Sequence, residues 1–286
     1  MPLLTAAIVT FNRADYLGDA ISSVLDQTFT DFELLVVDDG SIDDTAHVVA
    51  PYLDRIRYVR QEHEGRAGAR NRAVRLAEGE LIAFCDSDDR WYPDRLERQI
   101  EALAGAPQVG MVHGQVELTG PDGVPLPEET AAHSQLFSSA HLGGATYAGY
   151  ACNCRCLSST ILVRRAVFDT VGLYDRELPI EDYDFYLRLL LSFDVLFLDG
   201  RPLAQHRIHA DMTAPVELAL GQIRTAEKHL ALLDEHPEIP DSRAARRNFN
   251  LMIARSWRVL GDRRKARAAA RRALRLGAPE ALRVAL

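Results

Sequence analysis

Four short apolar runs in the first 110 residues restrict the fold more than any other feature of the chain. They are TAAIVT (5–10), FELLVVDD (32–39), IRYVR (56–60) and ELIAFCD (80–86). Each is short, rich in β-branched or aromatic residues and bounded by polar turns, which predicts buried strands. Amphipathic stretches separate them. Leu17, Ala20, Ile21, Val24 and Leu25 share one helical face, and Thr45, Val48, Val49 and Leu53 share another. Ala69, Ala73, Val74 and Leu76 form a third. Such alternation predicts an α/β fold, a mostly parallel central sheet with helices on both faces. Ligands of such sheets collect beyond the carboxyl ends of the strands. The polar clusters lie there: TFNR follows the first strand, DDGS the second and DSDD the fourth. Clusters far apart in sequence are therefore expected to meet at one rim.

Beyond DSDD, Pro93 is placed to open a helix at its first position, with Asp94 favourable in the first turn and an end near Gly105. VGMVHGQVEL (109–118) reads as one strand, 125–157 as irregular and LSSTILV (157–163) as strand-like. EDYDFYLRLLL (181–191) reads as a helix; VLFLD (195–199) and PLAQHRIH (202–209) read as closing strands. From Pro215 three Ala-, Leu- and Arg-rich helical patterns follow. The expected division is an α/β domain over 1–214, in two parts (1–110 and 111–214), then a helical extension over 215–286. The stretch with Trp257, Leu260, Gly261, Ala266 and Pro279 is similar to half of a tetratricopeptide unit. With one copy present, a plain helical hairpin is the reading taken.

Composition excludes some functions. The chain of 286 residues is 47% apolar and 26% charged, ordinary for a globular protein. Its net charge of −8 argues against a nucleic-acid partner. No run approaches the roughly 18 apolar residues of a membrane span. The start has no basic segment before its apolar run, so no secretory signal is read and a cytoplasmic location is expected. Cys152, Cys154 and Cys156 form C-x-C-x-C, a spacing that suits neither a disulfide framework nor common zinc sites; reduced thiols are expected.

Three carboxylates crowd together in DSDD. In extended backbone Asp86 and Asp88 point the same way and Ser87 away. A hard divalent cation, Mg²⁺ or Mn²⁺, suits such a pair and fills its remaining positions with water and phosphate oxygens. An acidic turn capping the following helix is the alternative. Asp38 and Asp39 either receive a base N–H or cap a helix. In GRAGARN (65–71) the Lys-Ser/Thr ending of a P-loop is missing; Arg66 and Arg70 are instead positive side chains for base, ribose or phosphate, or plain surface arginines. Glu181 and Asp182 open a helix, where dipole complementarity competes with a role as base and orienting carboxylate. His206 and His209 are either ligands or packed strand residues.

Taken in order, TFNR, VVDDGSIDDT (36–45), GRAGARN, FCDSDD (84–89), EDYDFYLRL (181–189) and HRIH (206–209) resemble the family 2 glycosyltransferases with the GT-A fold, over residues 3 to 212. The resemblance implies inverting transfer of a sugar from a UDP- or dTDP-linked donor to an acceptor hydroxyl, with Mn²⁺ or Mg²⁺, in bacterial polysaccharide or glycan synthesis. It implies that Thr10, Phe11, Arg13, Asp39, Arg66, Arg70, Asp86 and Ser87 lie at the nucleotide sugar. Asp88 and His209 would reach the metal. Asp182 would be the base, and Glu181 would orient the acceptor. The chain departs from the family pattern at His63 and Glu64, where an Asn is frequent, and at His206, where a Tyr is. The acceptor implied is a glycan, a lipid-linked sugar or a small molecule; a lipid-linked one would bring the protein to the inner membrane surface. The Arg-rich stretch 263–275 is either an aid to such contact or a solvated helix face. The rival functions are a nucleotidyltransferase, for which TFNR is a poor triphosphate loop, and a non-catalytic nucleotide-sugar-binding scaffold.

Overall fold

The computed structural model describes residues 1–136, 146–152 and 156–285. Its strands are β1 Leu4–Thr10, β2 Phe32–Asp38, β3 Arg57–Arg60, β4 Leu81–Asp86, β5 Arg90–Trp91, β6 Val109–Gly114, β7 Val116–Thr119, β8 Leu162–Arg164, β9 Asp194–Leu198 and β10 Ala204–Arg207. Its helices are α1 Ala14–Leu25, α2 Thr45–Val49, α3 Gly65–Leu76, α4 Arg95–Leu103, α5 Pro127–Leu136, α6 Tyr147–Tyr150, α7 Val167–Val171, α8 Glu181–Leu189, α9 Pro215–Glu235, α10 Ser242–Val259, α11 Arg263–Arg275 and α12 Leu282–Ala285. The chain divides into two compact units. The first comprises 1–141, 156–174 and 192–210, and the second 142–155, 175–191 and 211–286.

The first unit holds a seven-stranded sheet in the order β3-β2-β1-β4-β8-β6-β9. The pairs β1–β2, β1–β4, β2–β3 and β6–β9 are parallel, and β8 runs antiparallel to β4 and β6. The sheet is mostly parallel, as expected. Strand alternation sends Leu4, Ala6, Ile8, Leu34, Val36, Leu81 and Ala83 to one face, where they pack with Leu17, Ile21 and Val24 of α1 and Leu96 and Leu103 of α4. Each of the large α1 side chains buried there contributes about 1.5–3 kcal/mol. α3 packs against β1 and β2, and its Asn71 exchanges two hydrogen bonds with the backbone of Tyr174, at 2.8 and 2.9 Å. The second unit is helical: α6 packs on α10, α9 to α12 pack in succession, and α8 meets α9 through Asp184 with Lys228 and His229.

Several expected boundaries change, each for a local reason. The run 109–118 is two strands in different sheets, because Gln115 O accepts the Leu203 N–H (2.8 Å) and Gly114 lies against Leu203. A Cβ on Gly114 would come within 2.8 Å of Leu203 Cδ1. β7 then joins a small sheet, β5-β10-β7, that was not anticipated. α2 gives way to a 3₁₀ turn at Ala50–Tyr52, since Pro51 has no N–H to continue the ladder, and Leu53 stays 54% exposed instead of joining the helical face. The helix after Pro93 begins at Arg95, with Asp94 as its N-cap residue. Ser158–Thr160 is a 3₁₀ turn rather than strand, held by the Thr160 hydroxyl on Leu157 O (2.8 Å). Within 125–157, expected to be irregular, the described residues include α5 and α6.

Arg95 is wholly buried and joins three elements. Its guanidinium lies 3.8 Å from the Trp91 ring centroid and donates to Gln99 Oε1 (2.8 Å), Phe84 O (3.3 Å) and Ile161 O (2.7 Å). Arg95→Ala would orphan those acceptors. The expected loss is about 3 kcal/mol of stability, read as a lower urea midpoint at unchanged slope.

Candidate active site

The parallel registers fix the rim. Thr10 pairs with Asp38, Asp38 with Arg60, and Val9 with Asp86. Four strands therefore stop within one residue of a common level, and the segments that follow them emerge side by side, neighbouring strands being about 4.8 Å apart. Gly40, at φ +85°, turns the chain sharply after β2; a Cβ there would sit 3.1 Å from His63 N. The loop after β1 is tied to this turn: Asn12 N–H donates to Ser41 Oγ and Asn12 Oδ1 accepts from Ile42 N, both at 2.9 Å.

At the β4 end the extended backbone stops at Asp86, and Asp89 N–H donates to Asp86 O (3.1 Å) to close a turn. Asp86 and Asp88 consequently do not share a strand face, contrary to the alternation expected. Asp86 Oδ1 accepts from Arg70 (2.9 Å), which is buried on α3. Asp88 Oδ2 lies 3.1 Å from His209 Nε2 and 3.6 Å from Arg13 Nε. Ser87 is buried. Thus Arg13, Arg70, Asp86, Asp88 and His209 meet at this rim although they span nearly 200 residues of chain.

Asp39 is buried and surrounded by the chain's own donors. Oδ1 accepts from Gln61 Nε2 (2.7 Å) and Glu64 N (2.9 Å), and Oδ2 from Gly65 N (2.9 Å), with His63 Nδ1 at 2.8 Å. Its carboxylate therefore organises the 61–65 loop and the start of α3, where the helix dipole favours negative charge. Phe11, 40% exposed, stacks on His63 with ring centroids 4.1 Å apart. The Thr10 hydroxyl is buried without a hydrogen-bond partner among the described residues. Arg66 is exposed on the first turn of α3.

Two features escaped the sequence reading. His206 Nδ1 lies 3.1 Å from both oxygens of fully buried Asp89. Burial alone would lower the His206 pKa, but the Asp89 charge and hydrogen bond, with Asp86 and Asp88 behind them, raise it to about 9. The other feature belongs to the second unit. Glu181 is buried there, and Asp182 Oδ1 accepts the Tyr183 N–H (2.7 Å). Two residues on, Asp184 is fully buried and meets Arg188 (2.8 Å), Lys228 (2.9 Å) and His229 (3.1 Å). Burial pushes the Asp184 carboxyl up, yet the His229 hydrogen bond and the Arg188 and Lys228 charges hold it well below its ordinary value. His229 is lowered by burial and stays neutral, so its Nε2–H is assigned to Asp184 while Nδ1 accepts from the Tyr147 hydroxyl (2.9 Å). The available signal was Arg188 four residues after Asp184 on one helix.

Among the described residues, no three His, Cys, Asp or Glu side chains gather as a ligand set. Asp88 and His209 form a pair, and Asp88 is 22% exposed. The Asp88 carboxylate fits a hard ion that takes few protein ligands and completes its shell with water and phosphate oxygens, and the His209 imidazole suits a transition ion such as Mn²⁺. Cys152 is partly exposed and Cys156 is buried, and Cys154 lies outside the described residues.

Residues 5–168 match the family model described as glycosyl transferase family 2. That is more than half of the chain, which therefore belongs to this family. An uncharacterized glycosyltransferase of Rickettsia typhi is 30% identical over 233 residues, 79% of this chain and 70% of that protein. The Escherichia coli UDP-Glc:alpha-D-GlcNAc-diphosphoundecaprenol beta-1,3-glucosyltransferase WfgD is 39% identical over 118 residues, 41% of this chain and 46% of WfgD. Matches to the first curated relatives span between 35% and 70% of those proteins' lengths. Among solved structures, Staphylococcus aureus TarS superposes with a TM-score of 0.66 at 19% identity, over 99% of this chain and 50% of TarS. The mannosyltransferase PcManGT of Pyrobaculum calidifontis, solved with GDP-Man and Mn²⁺, gives 0.63 at 18%, over 99% of this chain and 78% of that one. These likenesses establish the GT-A fold.

Two outcomes follow from the ion pairs. Because folded His206 titrates near 9, above the ordinary 6.5, its pairing stabilises fully below about pH 6.5 and fades as pH rises through 9. Urea midpoints measured from pH 6 to 10 should fall for the wild type and stay flatter for His206→Gln. Asp184→Asn, which leaves Arg188 and Lys228 without their buried carboxylate, should cost about 3 kcal/mol in the same assay.

Proposed function

We propose that the protein is an inverting glycosyltransferase that takes its sugar from a UDP- or dTDP-linked donor in bacterial polysaccharide or glycan synthesis. The observation that carries this reading is the meeting of Arg13, Arg70, Asp86, Asp88 and His209 beyond the ends of β1 and β4. In this reading Thr10 and Phe11 border the nucleoside, with the Phe11–His63 stack offering a flat apolar face to a base. Asp39 acts on the base mainly by fixing the 61–65 loop. Its direct contact with a base requires Gln61 or His63 to give way. Arg66 and Arg70 lie toward base, ribose or phosphate, and Asp86 and Ser87 toward ribose and diphosphate. Asp88 and His209 would hold Mg²⁺ or Mn²⁺, which supplies positive charge for the departing diphosphate. The name of WfgD specifies a UDP sugar and PcManGT was solved with Mn²⁺, which supports both choices.

Asp182 is the base that takes the acceptor proton, a role worth typically 10²–10⁴-fold. Glu181 orients the acceptor. The acceptor is a glycan, a lipid-linked sugar or a small hydroxyl compound. The extension from residue 215 supports the reaction by holding α8, through Lys228 and His229 on Asp184 and through Gly221 against Ile180.

Incubation with a panel of nucleotide sugars and Mn²⁺ tests the reading. Slow release of UDP or dTDP, abolished by chelator and restored by metal, is expected. Asp182→Asn should lower transfer by at least 10²-fold while donor binding, measured by calorimetry, stays within about twofold. Wild-type turnover by that variant removes the base assignment. Absence of any nucleotide release across the panel would favour a binding scaffold.

A further inference from the structure

We propose that the outer face of α11 docks the protein onto an anionic lipid surface. Charge is distributed very unevenly along the chain. Residues 242–286 hold twelve Arg and one Lys against Asp262 and Glu280, a balance of +11. The whole chain carries −8, so residues 1–241 carry −19. α11 concentrates the positive charge. Its inner face is Ala266, Ala269, Ala270 and Ala273, all buried. Arg264, Arg267, Arg271 and Arg275, spaced by three, four and four residues, form one exposed stripe. That stripe runs about 16 Å along the helix.

The helix itself contains no acidic residue. Asp262, at its start, is engaged with Lys265 N (2.9 Å). An ordinary solvated helix mixes both signs, as α9 does with Glu217, Glu227, Asp234 and Glu235 beside Arg224 and Lys228. The choice of Arg over Lys also favours phosphate, since the planar guanidinium meets phosphate oxygens in pairs.

A second observation selects a lipid surface over the acidic surface of another protein. Val259 and Leu282 are 60% and 57% exposed. Arg258, next to Val259, donates to the carbonyl of Arg283, next to Leu282, at 2.8 Å. Two exposed apolar side chains thus flank one hydrogen bond at the junction of α10 and α12, within the same basic segment. Basic charge with a few apolar side chains is what peripheral binding to an anionic interface uses. No helix among the described residues is long and apolar enough to cross a membrane, so attachment through this segment is of the surface kind.

Co-sedimentation of the full chain with vesicles provides the test. Phosphatidylcholine vesicles with 30% phosphatidylglycerol should bind the protein, pure phosphatidylcholine should not, and 0.5 M salt should release it. The triple variant Arg264→Gln, Arg271→Gln, Arg275→Gln should bind about a hundredfold more weakly, at roughly one kcal/mol per basic residue. A control triple with the same change in charge, Arg55→Gln, Arg75→Gln, Arg165→Gln, should bind like the wild type. Circular dichroism checks that both variants are folded. The proposal is overturned if the wild type ignores the anionic lipid or binds both vesicles alike, a result that requires no variant. It is equally overturned if the two triples behave the same. If the α11 triple loses self-association in light scattering while its vesicle binding is unchanged, the occupant is a second copy of the chain, and the lipid assignment fails. Nucleotide release plays no part in this assay, so its outcome is separate from that of the proposed reaction.

Discussion

The in-register parallel pairing of β1 with β2 and β4 is the constraint on which the first unit depends. Parallel strands cannot be joined by tight turns, so each return passes through a helix and each strand starts afresh at the same side. Once Thr10, Asp38 and Arg60 share a row, with Asp86 beside Val9, every loop that follows these strands is delivered to one rim. The buried apolar residues hold that register strictly, because a slip of one residue would exchange the two faces of the sheet.

A rim that gathers Asp38, Asp39, Asp86, Asp88 and Asp89 must manage their mutual repulsion. The chain does so with separate counter-charges. Asp38 has Arg60 and the Tyr58 hydroxyl, Asp86 has Arg70, Asp88 has Arg13 and His209, and Asp89 has His206. Asp39 instead receives two backbone N–H groups and two side chains. The acidic string therefore divides by role: Asp89 and Asp39 are buried and hold loops together, while Asp86 and Asp88 are partly exposed and able to exchange partners.

The sequence made the strands and the rim legible because both follow from local pattern: short apolar runs and polar residues at their ends. What it left out depends on tertiary contact. The strand expected over 109–118 is cut by Leu203, nearly 90 residues away, and no pattern within the run signals the cut. Asp39 was identified as a rim residue, but its partners come from a loop whose path depends on α3. In EDYD the helix start points to Glu181 and Asp182, yet it is the fully buried Asp184 that meets both Arg188 and Lys228. Lys228 and His229 reach it from another helix, and their spacing in the chain carries no trace of that meeting.

The pairing of the rim carboxylates also bears on why the proposed reaction calls for a cation. A diphosphate brings negative charge to a place where the nearest guanidiniums, Arg13 and Arg70, already face Asp88 and Asp86. Drawing either arginine onto phosphate would leave a carboxylate beside an incoming anion, and at partial burial that costs several kcal/mol. A divalent ion held by Asp88 and His209 would change the balance: Asp88 would no longer depend on Arg13, and that guanidinium would be available to phosphate. In the proposed reading the same set of side chains, neutralised internally through Arg13–Asp88 and Arg70–Asp86, would become a phosphate site once a cation is held there. In this reading metal and donor enter together, and their binding is cooperative through the shared carboxylate of Asp88.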